Sequence, residues 1–438
     1  MTSQQHTLTR FNLEFALQSE SIASLARRTG FLKRTRKITA QAFLHACCLI
    51  ALAPRVSLST WAVILGGLIH DTLTKQAVAK RFTSAGVRFL RQSLFATLKT
   101  SAHLQSHIEA GTFHAFHRLV IQDSTSLRLP RRLAAIFPGS GNQHHAKTAT
   151  LKIQTVYEAL NEHFLHFHLT PFTRNDQTAS RDILAVIQAG DLLLRDLGYF
   201  VLDVFATIAQ RRAFFLSRYQ HGTCLTREDG QPFDLLKALR RHGTLDLDLR
   251  IGRQAQLPVR LVAIPVPKPV ADARRRKLRH NRNRKVNPSA EHLALLDWEI
   301  FITNVPPAIW TAATVGAVYG IRWRIEIIFK TWKQHFALPE FTDGSQEQIE
   351  ILIYAKLLFI TLFQVSIFRS WALAVKHRTG RALSLLKVAK FITHHWWLIL
   401  WLLTQPEGVH LLESQIIAHC TYERRKRLNY DEMLAVLT

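Results

Sequence analysis

The sequence predicts an α/β fold in which a sheet-bearing core carries a β-rich insertion and is flanked by helical N- and C-terminal domains. Two observations carry that reading. Apolar residues recur with a helical period up to about residue 105 and again beyond Gly344, whereas runs between them, such as HRLVIQDST and LKIQTVYEAL, read as strands. Strand-like and helix-like runs then take turns through the middle of the chain, as they do in a sheet covered by helices. At 438 residues the chain exceeds one ordinary domain and can bury a large core.

The helical N-terminal domain is expected over residues 1–105. SIASLARRTGFLKRTRKITAQAFLHACCLIALA places Arg27, Arg28, Lys33, Arg34, Arg36 and Lys37 ahead of an apolar helix that Thr39 is suited to cap. Further on, two helical patterns break near Gly66 and Gly67, and Thr74 opens a helix that carries Lys75, Lys80 and Arg81. Helix, turn and cationic helix form a shape that binds DNA. A helical pair with a charged outer face is the plainer reading of the same residues.

The core is expected over residues 106–345. HRLVIQDST is a buried strand ending in Asp123, and LKIQTVYEAL and HFLHFHLTPF alternate like two more strands. SRDILAVIQ is helical, DLLLRDLGYF is a strand containing Asp196, VLDVFATIAQRR is a helix and AFFLSRY is the fifth strand. Three strands, helix, strand, helix, strand and a final carboxylate-bearing helix make the order of a ribonuclease H-like core. That order brings Asp123, Asp196 and Glu326 to one end of the sheet. Taken singly, each aspartate reads equally well as a turn residue at a strand end.

Residues 219–308 are more than such a core needs. LDLDLRIG, LPVRLVAIPVP and LDWEIFITNVP alternate as strands, so the insertion is β-rich. Its middle, ARRRKLRHNRNRKVNP, holds eight cations between Arg274 and Lys285, a density that reads as a mobile loop on phosphates or as a solvated loop of no special role. The helical C-terminal domain is expected over residues 346–438. IEILIYAKLLFITLFQVSIF is apolar enough to suggest a membrane span, but Lys356 and Gln364 interrupt it, and HHWWLILWLL is too short to span. Buried helices packed on the sheet are the expected account, with a basic tail, YERRK, from Tyr422 to Lys426.

Composition narrows the function. The chain has 57 Lys and Arg against 31 Asp and Glu, a formal net charge of +26. The cations are spread over every segment, which argues for a polyanionic partner held by several domains. Cys47, Cys48, Cys224 and Cys420 lack C-x-x-C spacing and read as reduced thiols in a cytosolic protein. The pairs His144/His145 and His394/His395 have no partner cysteines at zinc spacing, so they read as structural or phosphate-facing. MTSQQHTLTR lacks the apolar stretch of a secretion signal.

The stretch YGIRWRIEIIFKTWK, from Tyr319 to Lys333, carries the most chemistry. On a helix Tyr319, Arg322, Glu326 and Lys333 fall within an arc of about 60°. Ile321, Ile325, Ile328, Phe329 and Trp332 supply the apolar contacts. A carboxylate among cations suits a site that holds divalent metal and polyanion together. An ordinary i,i+4 ion pair between Arg322 and Glu326 on a solvated face accounts for the same spacing.

The spacing Y-x2-R-x3-E-x6-K around WRIE resembles the signature of bacterial DDE transposases of the insertion sequence 4 group. QDST at Asp123 and DLGYF at Asp196 resemble the family's two aspartate motifs, with one departure: Leu197 stands where relatives usually carry Arg. The resemblance covers residues 20–400 and implies a cut-and-paste transposase. It implies that Asp123, Asp196 and Glu326 are the catalytic residues and hold two Mg²⁺ ions, for which Mn²⁺ can substitute. It further implies that Tyr319, Arg322 and Lys333 grip DNA phosphates. Trp298 matches the tryptophan with which relatives receive a flipped base during hairpin formation, although on a strand it equally reads as a core residue. The implied partners are the terminal inverted repeats, target DNA and a second copy of the chain, with no membrane. The implied location is the bacterial cytoplasm, in association with the nucleoid. The rival reading is a domesticated, catalytically inactive DNA-binding protein, which would be expected to have lost carboxylates that this chain keeps.

Overall fold

The computed structural model of the protein describes residues 19–34, 37–102, 111–140, 148–280, 287–341, 343–423 and 428–437. Arg36, the pair His144/His145, the cations Arg282, Arg284 and Lys285, and Arg424, Arg425 and Lys426 of the basic tail lie outside the described residues.

The chain opens with helices α1 (Ser19–Arg28), α2 (Ala40–Ile50), α3 (Leu58–Ile69), α4 (Lys75–Ala79) and α5 (Ser84–Ala102). Thr39 caps α2 by accepting from the Ala42 amide at 3.0 Å, and Thr74 caps α4 by accepting from Ala77. The break expected at Gly66 and Gly67 is absent, because α3 runs through both and ends at His70 in the left-handed conformation. Gly66 answers a packing need instead: a Cβ there would lie 2.6 Å from the Asp71 carbonyl oxygen.

Nine strands follow: β1 (Leu119–Leu129), β2 (Ala149–Glu158), β3 (His163–Pro171), β4 (Leu192–Arg195), β5 (Phe214–Arg218), β6 (Leu225–Thr226), β7 (Leu245–Ile251), β8 (Leu257–Pro265) and β9 (Trp298–Thr303). They form one mixed sheet in the order β3-β2-β1-β4-β5-β9-β8-β7-β6. β1 pairs antiparallel with β2 out to Leu129, but parallel with β4 only from Leu119 to Gln122. Asp123 therefore does not end its strand, as the sequence suggested. It stands one residue beyond the point where β4 stops, with β1 continuing as an arm paired to β2 alone. The run SRDILAVIQ is not a regular helix either. One α-turn, Asp176–Ala179, passes into 3-10 turns over Ser180–Ala185, and the Ser180 hydroxyl donates to the Tyr199 carbonyl.

The β-rich insertion lengthens the core sheet. β5 pairs antiparallel with β9, and β8, β7 and β6 follow outward. This leaves the apolar strand Phe214–Arg218 without a free edge. Helix α6 (Leu202–Gln210) joins β4 to β5, and the insertion adds α7 (Leu235–His242), α8 (Lys268–Arg279) and α9 (Ala290–Leu295). α8 takes up the first half of the run read as a mobile cationic loop. Its last-turn cations suit the carbonyl end of a helix. Arg274 folds onto Glu299, and Arg275 onto Asp272 and Asp297.

Strand alternation divides the apolar residues between two cores. Val120, Leu193, Phe215 and Ile302 face one side, under Val204, Phe205 and Ile208 of α6 and Leu239 of α7. Ile121, Leu194, Leu216 and Phe301 face the other side, where a thicker helical layer lies. That layer joins α2, α3 and α5 with α10 (Ala312–Ile321), α11 (Trp323–Gln334), α12 (Gln346–Thr379), α13 (Leu385–Leu403), α14 (Gly408–Cys420) and α15 (Tyr430–Leu437). Among the described residues α12 is a helix long and apolar enough to cross a membrane, yet 83% of its most apolar stretch is buried inside the protein. Lys356, which interrupts that stretch, donates to the carbonyls of Ala51 and Ala53 at the C-terminal end of α2, at 3.0 and 3.1 Å. Burial of α13 does not hold along its length, since Trp396, Trp397 and Trp401 are exposed.

The junction of α11 with the sheet rests on a buried ion pair. Arg324 bonds Glu162, in the β2–β3 turn, and its guanidinium stacks 4.5 Å from the Tyr430 ring of α15. The Tyr430 hydroxyl donates to the Ala159 carbonyl, so strand turn, α11 and the last helix are tied at one point. Removing one partner of a buried pair strands the other charge. Arg324→Met is therefore expected to lower unfolding stability by about 3–5 kcal/mol, and adding Glu162→Gln to recover a large part of it; equilibrium denaturation of both variants measures this.

Candidate active site

Each acid is placed by a different element. Gln122 pairs with Arg195 in the parallel β1–β4 register, so Asp123 and Asp196 each follow a paired residue at the same level of neighbouring strands. Asp196 leads into the 3-10 turn Leu197–Tyr199. Glu326 lies in the first turn of α11. Tyr319 lies in the last turn of α10, and the chain keeps helical angles through Arg322 (φ −50°, ψ −29°) into α11. The stretch read as a single helix is thus two helices joined at Arg322.

Arg322 clasps two of the acids. One guanidinium nitrogen donates to Glu326 Oε1 at 2.7 Å and another lies 3.4 Å from Asp123 Oδ2. Asp196 contributes to the field that keeps Arg322 charged, and Asp196 and Glu326 both act on Asp123. The carboxyl of Asp123 is pushed up to about 7, first because it is buried and then because two like charges face it; the Ser124 amide and Arg322 oppose the rise. The i,i+4 pair foreseen as the plain reading exists, but it is one half of a bridge across the sheet edge.

Tyr319 is buried rather than presented to solvent. Its hydroxyl donates to the Arg195 carbonyl at 3.2 Å, the peptide that precedes Asp196. The guanidiniums of Arg218 and Arg322 lie 5.3 and 5.8 Å from its ring centroid. Lys333 is exposed in the last turn of α11, seven residues or roughly 10 Å along the axis from Glu326. Trp298 begins β9. Ser217 of β5 pairs with Ile302, so Trp298 extends past the level of the acids on the same end of the sheet, three strands or roughly 14 Å from β1. It is half-buried, and its indole N–H donates to the Gly243 carbonyl. Leu197, where relatives usually carry Arg, is partly exposed.

A polar network beneath Asp123 was not foreseen. Asp176 accepts from Ser124, Lys152 and Gln154 at 3.0, 3.0 and 3.2 Å, and the Tyr199 hydroxyl donates to Gln154 at 2.6 Å. Next to it the buried Arg195 donates to Gln122 and to the Ser180 carbonyl. The network stiffens the residues adjoining both aspartates. Its trace in the sequence is the pair Lys152 and Gln154, polar at i and i+2 on the strand face that holds Val156.

Among the described residues no group of three or more His, Cys, Asp or Glu side chains is placed to hold a metal ion as it stands. The acids nevertheless suit a hard divalent cation: they offer carboxylate oxygens only, and Arg322 supplies positive charge between two of them. The sign of the pH effect follows from Asp123. Its folded pKa lies above the unfolded value, so its contribution to stability is lost as pH rises from about 4 to about 7. Asp123→Asn is expected to melt higher than wild type at pH 8 and by a smaller margin at pH 5, measured by thermal unfolding without metal.

A family described as the transposase DDE domain matches residues 114–362. The chain is 29% identical over 400 residues to the transposase of insertion sequence element IS231D from Bacillus thuringiensis subsp. finitimus, spanning 86% of this chain and 82% of that one. It is 26% identical over 377 residues to the transposase of element IS1151 from Clostridium perfringens, spanning 80% and 78%. A solved structure of the piggyBac transposase in a synaptic complex with hairpin DNA aligns at a TM-score of 0.45 and 9% identity, over 96% of this chain and 86% of that one. By its match over more than half its length, the chain belongs to the transposase DDE domain family.

Proposed function

We propose that the protein is the transposase of a bacterial insertion sequence of the insertion sequence 4 group, which cleaves the ends of its element and joins the freed 3′ hydroxyls to target DNA. The observation that supports this is the Arg322 bridge between Asp123 and Glu326 at the edge where β4 leaves β1, with Asp196 following β4 at the level of Asp123. The strand order and the helix bearing Glu326 support a ribonuclease H-like core. Nothing supports the inactive alternative, and the chain keeps all three carboxylates.

Asp123, Asp196 and Glu326 would together hold two Mg²⁺ ions, or Mn²⁺ in their place. Bound there, the ions would activate the attacking oxygen and stabilise the leaving one in each in-line displacement at phosphorus. The chain's own residues do the rest. Arg322, released from the carboxylates, has its charge and fork free for a phosphate. Tyr319 holds the peptide before Asp196 in place. Lys333, exposed two turns from Glu326, grips the backbone further along. Trp298, on the same end of the sheet, receives a base taken out of the stack when the strand turns back into a hairpin. The cationic helices up to residue 105 hold the terminal repeats, residues 106–345 do the chemistry, and residues 346–438 brace it. Two copies bring two element ends together, in the bacterial cytoplasm on nucleoid DNA.

Two tests address this reading. Asp123→Ala, Asp196→Ala and Glu326→Ala are each expected to abolish nicking, hairpin formation and strand transfer on an end substrate with Mg²⁺ while leaving end binding intact. Cleavage by any of them within about tenfold of wild type, about 1.4 kcal/mol in barrier, removes that residue from the set. Arg322→Ala and Lys333→Ala are expected to lower the slope of log affinity against log salt by about one unit each; unchanged slopes return both to structural ion pairing.

A further inference from the structure

The histidine pair in α13 has two different settings. His395 sits where the backbone leaves helical geometry (φ −123°, ψ 22°), and its ring packs on Phe391 with 5.2 Å between centroids. His394 is exposed and meets His335, the residue that caps the C-terminal end of α11, with ring centroids 6.2 Å apart and planes at 72°. His335 is half-buried, and its Nδ1 finds no hydrogen-bond partner among the described residues. The charges that act on it are His394 and Lys390 of α13 and Lys330 of its own helix, all positive; with burial, the larger cause, they hold His335 below the usual imidazole range. Among the described residues no carboxylate acts on it: Glu340, in the segment after α11, acts on the buried Lys356 instead.

A cluster of cations with no acid among them opposes its own charging until an anion joins it. Imidazoles alone would suggest a metal ion, but Lys330 and Lys390 repel a cation, and the described histidines make no group placed to hold one. A phosphate fits better. Two rings at this separation can both donate to the oxygens of one phosphate, and the lysines add charge. The carbonyl end of α11 does not oppose it, because the carbonyls of Thr331, Trp332 and Phe336 are already taken by the amides of His335 and Leu338 and by Lys356. The position favours DNA as the source of that phosphate. Lys330 is exposed one turn beyond Glu326, Lys333 follows it, and His335 closes the helix nine residues or roughly 14 Å from Glu326. That is about four steps of roughly 3.4 Å along a DNA strand.

We propose that His335 and His394, with Lys330 and Lys390, form a site between α11 and α13 for a backbone phosphate of DNA, and that the site takes up a proton when it is occupied. It rests on the reading that DNA passes the acids beside α11. A proton taken up on binding makes affinity rise as pH falls, and one unit of pKa change on one imidazole is worth about tenfold in affinity. The test is fluorescence anisotropy of the full chain on a labelled element-end duplex between pH 8 and pH 6, at about 0.1 M salt without Mg²⁺. The gap in dissociation constant between wild type and His394→Gln is expected to widen from about twofold at pH 8 to at least about tenfold at pH 6, and His335→Gln to follow the same course. His394→Lys, charged throughout this range, is expected to bind more tightly than wild type at pH 8 and to gain less on acidification. His394 is exposed, so its two variants decide the matter even where His335→Gln unfolds. A gap that stays constant with pH, or His394→Lys binding no more tightly than wild type at pH 8, overturns the proposal. So does inorganic phosphate that raises the melting temperature of wild type but not of His394→Gln while the gap on DNA stays constant, which assigns the site to a free anion. No readout requires cleavage: a chain that shows the widening gap and never cuts defeats the functional reading alone, and one that cuts element ends with a constant gap defeats this site alone.

Discussion

The register of β1 against β4 is the constraint on which the site depends. Because Gln122 and Arg195 are paired in parallel, the residues that follow them, Asp123 and Asp196, emerge at one level with no further pairing between the strands. A slip of one residue would turn one aspartate to the opposite face. The register is locked from below, where the buried Arg195 donates to Gln122, and from above, where Tyr319 donates to the Arg195 carbonyl. Both contacts act on the residues adjoining the acids, one through their side chains and one through the Arg195 peptide, rather than on the acids themselves.

Placing like charges together has an electrostatic cost, and the structure meets it locally. Asp123 is half-buried in the field of two other carboxylates, which with burial pushes its carboxyl up to about 7, and Arg322 is the cation at hand. Such an arrangement stores affinity for positive charge instead of stability, as sites built for binding commonly do. The buried network of Asp176, Lys152, Gln154 and Tyr199 has the opposite character, since its polar groups satisfy one another and make the floor under Asp123 rigid.

Helices from both ends of the chain share the core beneath Glu326, with α2 and α5 packed against α12 and α15 tied to α11 through Arg324. The position of Glu326 thus depends on residues far away in sequence. The extension of the sheet by β9, β8, β7 and β6 similarly carries Trp298 to the end that holds the acids while leaving it three strands from Asp123.

Much of this was legible in the residues. The change of period near residue 113, the caps at Thr39 and Thr74 and the order of the core strands could all be read, because periodicity and capping are local properties. Other features were decided by contacts between distant segments. Nothing near Asp123 shows that β1 runs on past it, since that depends on β2 supplying partners as far as Leu129. The cationic run from Arg274 forms a helix because Glu299 and Asp297 arrive from β9 and the turn before it. Tyr319 turns inward because the Arg195 carbonyl lies there. WWLILWLL reads as core by composition, yet the kink at His395 sets its tryptophans outward. The sequence by itself determined the helix caps, most of the core strands and which residues carry charge. Only the tertiary structure decided which side chains are buried or shared, because burial and pairing require a partner from elsewhere in the chain.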